Sequence, residues 1–180
     1  MTRSEQRART HQILLDATVE CLVEFGYART TTQRVQERAG VSRGALLHHF
    51  GSKADLFVAA IHHIAEQQLD QVRHAGARSR PRLVAALRQA MSGPLFLAGL
   101  ELWLGARTDE ALRAALLPAE RELGRELRKA FAAESTVDER LDFESLLMLL
   151  RGLALTSILR DDPAIADAVL SRWLDGLASA

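Results

Sequence analysis

The chain has 180 residues, of which 48% are hydrophobic and 26% are charged, and its 23 basic side chains balance 23 acidic ones. A chain of this length can bury a real core, because about 70% of the unfolded surface becomes buried at this size. The zero net charge excludes a protein that binds nucleic acid through its total charge alone. Leucine, alanine, arginine and glutamate dominate and β-branched residues never alternate for long, so we expect an all-α protein.

Charge, cysteine content and hydropathy indicate where such a chain works. Residues 1–56 carry eight basic and six acidic side chains, so the small positive excess lies where a DNA-binding segment would need it. The single Cys21 cannot form a disulfide within the chain, which fits a reducing cytosol. Met1–Gln12 has no apolar signal segment, and the apolar run Leu146–Leu159 is shorter than the ~20 residues that cross a bilayer. We expect a cytoplasmic protein, nucleoid-associated when bound to DNA, without a membrane segment.

An apolar stripe near the amino terminus predicts a first helix from Ser4 to Phe25, which Gly26 ends. The members of the stripe recur at spacings of three and four: Leu14, Ala17, Cys21, Leu22 and Phe25. Because Cys21 lies on this stripe, we interpret it as a small core side chain and not as a nucleophile.

The next stretch, Thr31 to Phe50, predicts two short helices joined by a tight turn. Thr31 and Thr32 supply capping hydroxyls for the first helix, and Gly40 follows its last periodic residue, where helices commonly stop. Ser42 is placed to cap the second helix, from Arg43 to about His49. Two helices with a glycine-bearing turn form a helix-turn-helix, whose second helix enters the DNA major groove.

Six further helices follow. Ser52 and Asp55 form a variant capping box for a fourth helix that runs to about Gly76. Gly105 is predicted to stop the sixth helix, Thr108 to cap the seventh, and Pro118 to bend or restart that helix. The last five predicted helices are Ser79 to Met91, Leu95 to Leu104, Thr108 towards Phe131, Asp138 to Arg160, and Pro163 to near Ala178. The total is nine helices.

The amino-terminal motifs resemble the signature of TetR-type (tetracycline-repressor-like, TetR/AcrR) transcriptional regulators over roughly residues 10–57. The matching motifs are Phe25-Gly26-Tyr27, Thr30-Thr31-Thr32, Ala39-Gly40-Val41-Ser42, Gly44-Ala45-Leu46, His49-Phe50, Ser52-Lys53 and Asp55-Leu56. They agree in order and without gaps, so the resemblance is specific.

This resemblance implies a nine-helix TetR-type fold, with a three-helix DNA-binding head at residues 1–51 and the helix-turn-helix at 31–50. Residues 52–180 would form a ligand-binding and dimerisation domain. The implied protein is a homodimer, joined through its last two helices at about 138–178. It would bind a palindromic double-stranded DNA operator as a repressor and be released by a small-molecule effector. No cofactor is implied.

The candidate DNA-binding residues lie in the two short helices and at the start of the fourth. They are Thr31, Thr32, Gln33, Arg43, Gly44, Ala45, Leu47, His48, His49 and Lys53. Arg43 can fork onto a guanine edge or a phosphate, whereas Lys53 resembles the family's phosphate-anchoring lysine. Leu47 stands where the family usually has an aromatic residue, most often a tyrosine that contacts phosphate. Leucine cannot make that contact, although it can pack on a thymine methyl.

The interior of the head and of the second domain is also predicted. Within the head, we expect Val35, Ala39, Val41, Leu46 and Phe50 to pack together. A ligand pocket in the second domain would be lined by Met91, Phe96, Leu100, Trp103, Phe131 and Met148, residues that equally suit a plain core. Arg151 interrupts an apolar run, and it either pairs with an acid across the dimer or binds an anionic ligand. His62 and His63 are adjacent and point ~100° apart on a helix, so we expect no metal site.

Three other functions remain open. A ligand-independent or activating regulator would have the same head, and an architectural DNA binder would show little sequence preference. An enzyme using the apolar cavity is the remote alternative, because the chain lacks an HExxH motif, a phosphate loop and a CxxC pair. We therefore expect that the chain is not an enzyme.

Overall fold

The computed structural model describes residues 2–74, 80–131, 137–160 and 162–178, with the backbone alone at 80, 130, 131, 177 and 178. These residues form nine α-helices and no strands. The helices are α1 (Arg3–Arg29), α2 (Thr32–Ala39), α3 (Arg43–His49), α4 (Lys53–His74), α5 (Arg80–Ala90), α6 (Pro94–Ala106), α7 (Glu110–Phe131), α8 (Val137–Ser157) and α9 (Pro163–Ala178). The predicted all-α class and helix number are confirmed for the described part of the chain.

The predicted caps of the helix-turn-helix are present. The Arg34 amide donates to Thr31 Oγ1 at 3.2 Å, and the Ala45 amide donates to Ser42 Oγ at 3.2 Å. Gly40 ends α2 in the left-handed region, with φ of 65°, a conformation that costs glycine nothing because it has no Cβ. Local hydrogen bonding therefore sets the turn between α2 and α3.

Gly26 breaks the first helix as predicted, with φ of 74°, and a further helical turn then runs to Arg29. Two predicted boundaries were wrong in detail. Asp109, not Thr108, caps α7, because its Oδ1 accepts from the Leu112 amide at 2.9 Å. Helix α6 continues past Gly105 to Ala106. Pro118 lies within α7, which does not restart there. The predicted end of the fourth helix near Gly76 lies outside the described residues.

Buried apolar side chains form three clusters along the molecule. The head cluster comprises Leu14, Leu15, Ala17, Cys21, Val35, Leu46, Phe50, Leu56 and Ala60. The middle cluster comprises Val19, Leu22, Phe57, Ile61, Ile64, Leu95, Ala98, Leu102, Ala106, Leu112, Leu116 and Ala119. The distal cluster comprises Val72, Leu83, Val84, Leu87, Ala90, Met91, Phe96, Leu123, Leu127, Phe143, Leu146, Leu147, Leu150 and Leu170.

Helix α4 contributes to all three clusters. Leu56 packs in the head cluster, Ile61 in the middle cluster and Val72 in the distal cluster. Packing is therefore continuous across the predicted domain boundary at residues 51 and 52, and α4 contacts buried residues at both ends of the molecule.

A second connection, which we call the elbow, consists of Gly26 and Tyr27. The Tyr27 amide donates to Glu101 Oε2 of α6 at 3.0 Å, and the Tyr27 hydroxyl donates to Asp109 Oδ2 at 2.7 Å. Burial, followed by the hydrogen bond to Asp109 and its charge, raises the pKa of Tyr27 to about 12. The phenol therefore stays protonated and remains a donor at neutral pH. The Tyr27 ring lies against Gly105 so closely that a Cβ there would meet the ring at 2.5 Å.

No single described helix is long and apolar enough to cross a membrane. Only Pro81–Ala90 and Pro94–Ala106, bent by 62° at the break between them, reach that length and apolarity when counted together.

The elbow gives a stability prediction. We expect Gly105→Ala to lower the free energy of unfolding by about 1–3 kcal/mol, because the new methyl group overlaps a ring held at both ends. Gly99→Ala on the same helix is the matched control, since its Cβ would meet only Ile64 Cγ2 at 3.9 Å. That control should be neutral or more stable by up to about 1 kcal/mol through helix propensity. Urea unfolding followed by circular dichroism measures both, and equal effects of the two substitutions would contradict the close contact.

Candidate nucleic-acid interface and cavity

Helix α3 is anchored by its buried side and presents its other side to solvent. Leu46 is 1% exposed and Phe50 is 4% exposed within the head cluster, so the rotation of the helix is set by packing. Arg43, Gly44 and His48 are exposed, and the Leu47 side chain is 47% exposed. The outward face of α3 therefore consists of a cation, a backbone segment without bulk, an apolar side chain and an imidazole.

Helix α2 and the preceding turn place further predicted residues at the surface. Thr31 and Gln33 are exposed and Thr32 is half-buried. The amide group of Gln33 donates to Glu37 Oε1 at 2.9 Å, and Thr31 caps the helix. The amino-terminal turn of a helix leaves backbone amides free, which suits phosphate oxygens.

Two arginines of α2 have structural contacts. The Arg34 guanidinium lies 4.5 Å from the Phe25 ring centroid and donates to the Arg29 carbonyl at 3.2 Å. Arg38 forms ion pairs with Glu20 and Glu24 of α1. These contacts hold α2 against α1 and use up part of the positive charge of the head.

Histidines surround the end of α3. The His11 ring of α1 stacks near Phe50, with centroids 4.9 Å apart, and lies 5.9 Å from the His49 ring. Burial, then the nearby His11, His48 and Arg7, lowers the pKa of His49 below its usual 6.5. His49 is therefore mainly neutral at physiological pH, where one ring nitrogen can donate and the other can accept a hydrogen bond, but the ring carries no charge to a phosphate.

Lys53 is exposed at the first position of α4, and its ammonium faces the elbow. Its Nζ lies 5.6 Å from the Tyr27 ring centroid and 5.2 Å from that of Phe57. The Lys53 charge also helps to lower the pKa of Asp109, after the hydrogen bonds from the Leu112 amide and the Tyr27 hydroxyl. The predicted phosphate anchor thus lies beside the contacts that join the head to α7.

A cavity opens between helices α4 to α8. Its volume is about 50 Å³. The cavity is therefore narrow, and its apolar walls must yield to admit an organic molecule. Its lining residues are Gln68, Val72, Leu87, Ala90, Met91, Phe96, Gly99, Leu100, Trp103, Glu120, Leu123, Gly124, Leu127, Leu147 and Arg151.

Four of the six predicted lining residues lie at this cavity: Met91, Phe96, Leu100 and Trp103. Met148 does not line it, because its side chain is 69% exposed on the outer side of α8. The Phe131 side chain lies outside the described residues. Apolar spacing identified the helix in the case of Met148 but could not tell its inner side from its outer side.

The polar part of the cavity includes a residue that sequence reasoning missed. Trp103 Nε1 donates to Glu120 Oε1 at 2.9 Å, and the Arg151 guanidinium lies 4.5 Å from the Trp103 ring centroid. Burial raises the pKa of Glu120 and lowers that of Arg151. The available signal for Glu120 was its position four residues after Leu116, within the apolar stripe of α7.

The adjacent histidines of α4 have separate environments. His62 is exposed, whereas His63 is 7% exposed, with Nε2 2.9 Å from Asp16 Oδ1 and 2.9 Å from Gln67 Nε2. Among the described residues, no three His, Cys, Asp or Glu side chains are grouped as metal ligands. His63 therefore links α4 to α1 through hydrogen bonds.

Known proteins resemble the chain both in sequence and in fold. The model of the tetR family of bacterial regulatory proteins matches residues 14–60. The HTH-type transcriptional regulator BetI of Paraburkholderia phymatum is 30% identical over 167 residues, which cover 87% of this chain and 85% of that protein. The chain belongs to the TetR family.

Other TetR-related proteins match more narrowly or only in fold. An HTH-type transcriptional regulator of Mycobacterium tuberculosis is 37% identical over 125 residues, and the match spans 64% of each chain. The crystal structure of the regulator FadR of Bacillus subtilis, in complex with stearoyl-CoA, has a TM-score of 0.71 at 18% identity. It covers 92% of this chain and 98% of that one, so the TetR-type fold extends beyond the head.

The lowered pKa of His49 gives a pH prediction. The unfolded chain binds a proton at this histidine near pH 6.5, whereas the folded chain resists it, so stability is lost as pH falls below about 6.5. We expect His49→Gln to remove this component. Urea midpoints at about pH 7.5 and about pH 5.5 should differ less in the variant than in the wild-type protein. An identical pH dependence would mean that His49 titrates alike in both states.

Proposed function

We propose that this TetR-family chain is a ligand-responsive transcriptional repressor, which binds a palindromic operator as a homodimer in the cytoplasm and is released by a small-molecule effector. The observation that carries the proposal is the exposed face of α3, joined through α4 to the distal cluster and the cavity beside it. Residues 1–51 would serve as the DNA-binding part and residues 52–180 as the effector and dimer part.

Contacts with DNA are assigned from side-chain chemistry and exposure. Arg43, exposed in the first turn of α3, would read a guanine edge, and Leu47 would pack on a thymine methyl. Lys53 and the amino-terminal turn of α2 would hold phosphates. His48 is exposed and His49 is half-buried, so His48 is the better placed of the two to meet the DNA backbone.

The dimer proposal is supported by apolar side chains exposed on one part of the chain. Large contiguous apolar surfaces are unusual on monomers and mark association sites. Eight exposed large apolar residues lie on α8, α9 and the connection between them: Val137, Leu141, Met148, Leu155, Ile158, Leu159, Ile165 and Val169. A two-fold axis through this surface would carry two α3 helices, which on a palindromic operator lie about 34–36 Å apart in successive major grooves.

The route from cavity to DNA would run through α6 and α7. Helix α6 presents Leu100 and Trp103 to the cavity, while its Glu101 accepts from the elbow amide. Helix α7 presents Glu120 to the cavity and Asp109 to the Tyr27 hydroxyl. An effector that shifts either helix would move the carboxylates that hold the elbow. Effector and operator would then oppose each other by linkage. The complex of FadR with stearoyl-CoA supports the idea that this fold holds small organic molecules.

The two proposed DNA contacts should behave differently. We expect Arg43→Ala to cost about 1–3 kcal/mol of operator binding and to relax sequence preference, because the lost contact is to a base. Lys53→Ala should weaken all DNA alike and reduce the slope of log affinity against log salt by about one. Fluorescence anisotropy with operator and scrambled duplexes at several salt concentrations measures both.

The matched control for these variants is Lys129→Ala. Lys129 is the other lysine of the chain, exposed on α7 and paired with Glu126. It should leave affinity and salt slope unchanged. Wild-type operator affinity in both Arg43→Ala and Lys53→Ala would overturn the assigned contacts.

The dimer surface gives a separate prediction. Leu155→Glu would place a charge within the apolar surface of α8, so the homodimer should dissociate at concentrations where the wild-type protein is dimeric. Leu117→Glu is the control, because Leu117 on α7 is 44% exposed and Leu155 is 45% exposed. Sedimentation velocity distinguishes the species. A monomeric wild-type protein, or equal dissociation of both variants, would contradict the proposed surface.

A further inference from the structure

Arg151 lines the cavity and lies against an aromatic ring. Its guanidinium lies over the Trp103 ring at 4.5 Å, and no hydrogen bond or ion pair joins it to another described residue. The two carboxylates whose charges act on Arg151 each hold another hydrogen-bonding partner. Glu120 accepts from Trp103 Nε1 at 2.9 Å, and Glu144 pairs with Arg128 at 2.9 Å. The planar fork of Arg151 is therefore available to a ligand.

The two ionisable groups of the cavity, those of Arg151 and Glu120, differ in whether they can lose their charge. A guanidinium stays protonated in proteins, so Arg151 contributes a permanent positive charge to an apolar cavity. A carboxyl can discharge itself by taking up a proton, and burial already raises the pKa of Glu120. An unpaired buried charge is costly, and the lowered pKa of Arg151 reflects the same cost. A bound anion would lower this free-energy cost, whereas a bound cation would raise it.

The remaining walls define the other end of the ligand. Leu87, Met91 and Phe96 lie on one part of the lining, and Leu123, Leu127 and Leu147 on another. Among the described lining residues, only Arg151, Glu120, Gln68 and Trp103 have polar side-chain groups. Such walls suit an apolar body, and a few placed polar groups orient it.

We infer that the effector is an amphipathic carboxylate, whose head accepts hydrogen bonds from the Arg151 fork above Trp103 and whose apolar body fills the space between α5, α6, α7 and α8. The role of this ligand as an effector rests on the proposed function, whereas its chemistry is argued from the lining of the cavity alone. It also replaces pairing across a dimer as the role of Arg151.

The test compares ligands that differ only in the head group. Octanoate, octanamide and octylamine are titrated into the full chain by calorimetry, and phenylacetate is compared with phenylacetamide to vary the body. Octanoate should bind roughly tenfold to a hundredfold more tightly than octanamide, the effect of a hydrogen bond to a charged group. In Arg151→Met this preference should vanish while octanamide binding stays within about twofold, because the methionine keeps an apolar stem.

Three further variants locate the effect. Arg151→Lys keeps the charge but lacks the fork, so it should retain the preference for octanoate with a smaller ratio. It also keeps the test valid where Arg151→Met does not fold, as judged by circular dichroism. In a Trp173→Phe background Trp103 is the only tryptophan, and its fluorescence should change on octanoate binding. Glu120→Gln should preserve the preference.

Several results would overturn the inference. They are equal affinity for the acid and the amide in both pairs, a carboxylate preference that survives Arg151→Met, binding of none of the probes, or tighter octylamine binding lost in Glu120→Gln. Operator release is measured separately by anisotropy. Arg151-dependent octanoate binding without release would keep the ligand chemistry and overturn the effector role. Release by neutral or cationic compounds alone would keep the repressor and overturn the carboxylate.

Discussion

The elbow at Gly26 and Tyr27 is the contact on which the arrangement of the two ends of the molecule depends. One residue of α1 donates its amide to α6 and its hydroxyl to the start of α7, at 3.0 and 2.7 Å. Glycine at position 26 supplies the positive φ that turns the backbone towards Glu101, and glycine at position 105 leaves room for the ring. Because both hydrogen bonds and the ring contact involve one residue, Tyr27, we expect a shift of α6 or α7 to change the orientation of α1.

Helix α4 supplies a second and mechanically different coupling. The elbow transmits through directional hydrogen bonds, whereas α4 transmits through apolar packing in three successive clusters. Close-packed interiors resist small displacements and respond by switching between discrete arrangements. A molecule entering the narrow cavity must displace apolar side chains there, and one of them, Val72, belongs to α4.

A feature of this structure could be predicted from sequence when the contacts that fix it lie close together along the chain. Thr31, Gly40 and Ser42 act on backbone groups within four residues, so the helix-turn-helix and its boundaries could be predicted from local chemistry. Thr108 and Asp109 are adjacent and both are residue types that cap helices, and only the folded structure shows that Asp109 does so. Met91 and Met148 both lie on apolar stripes, yet one is buried and the other is 69% exposed, because periodicity does not say which stripe faces inward. The approach of Glu120 and Arg151 to Trp103 depends on how α6, α7 and α8 cross, which no local pattern encodes.

The ion pairs of Arg38 have a consequence for the search for a target site. Arg38 forms ion pairs with two glutamates of α1, and Arg34 is held against Phe25 and a backbone carbonyl. Non-specific affinity for DNA rises with the number of phosphates neutralised, and the ion pairs of Arg38 occupy part of the basic charge of the head. We therefore expect weaker non-specific binding to chromosomal DNA, which would leave more copies of the protein free to reach a matching site.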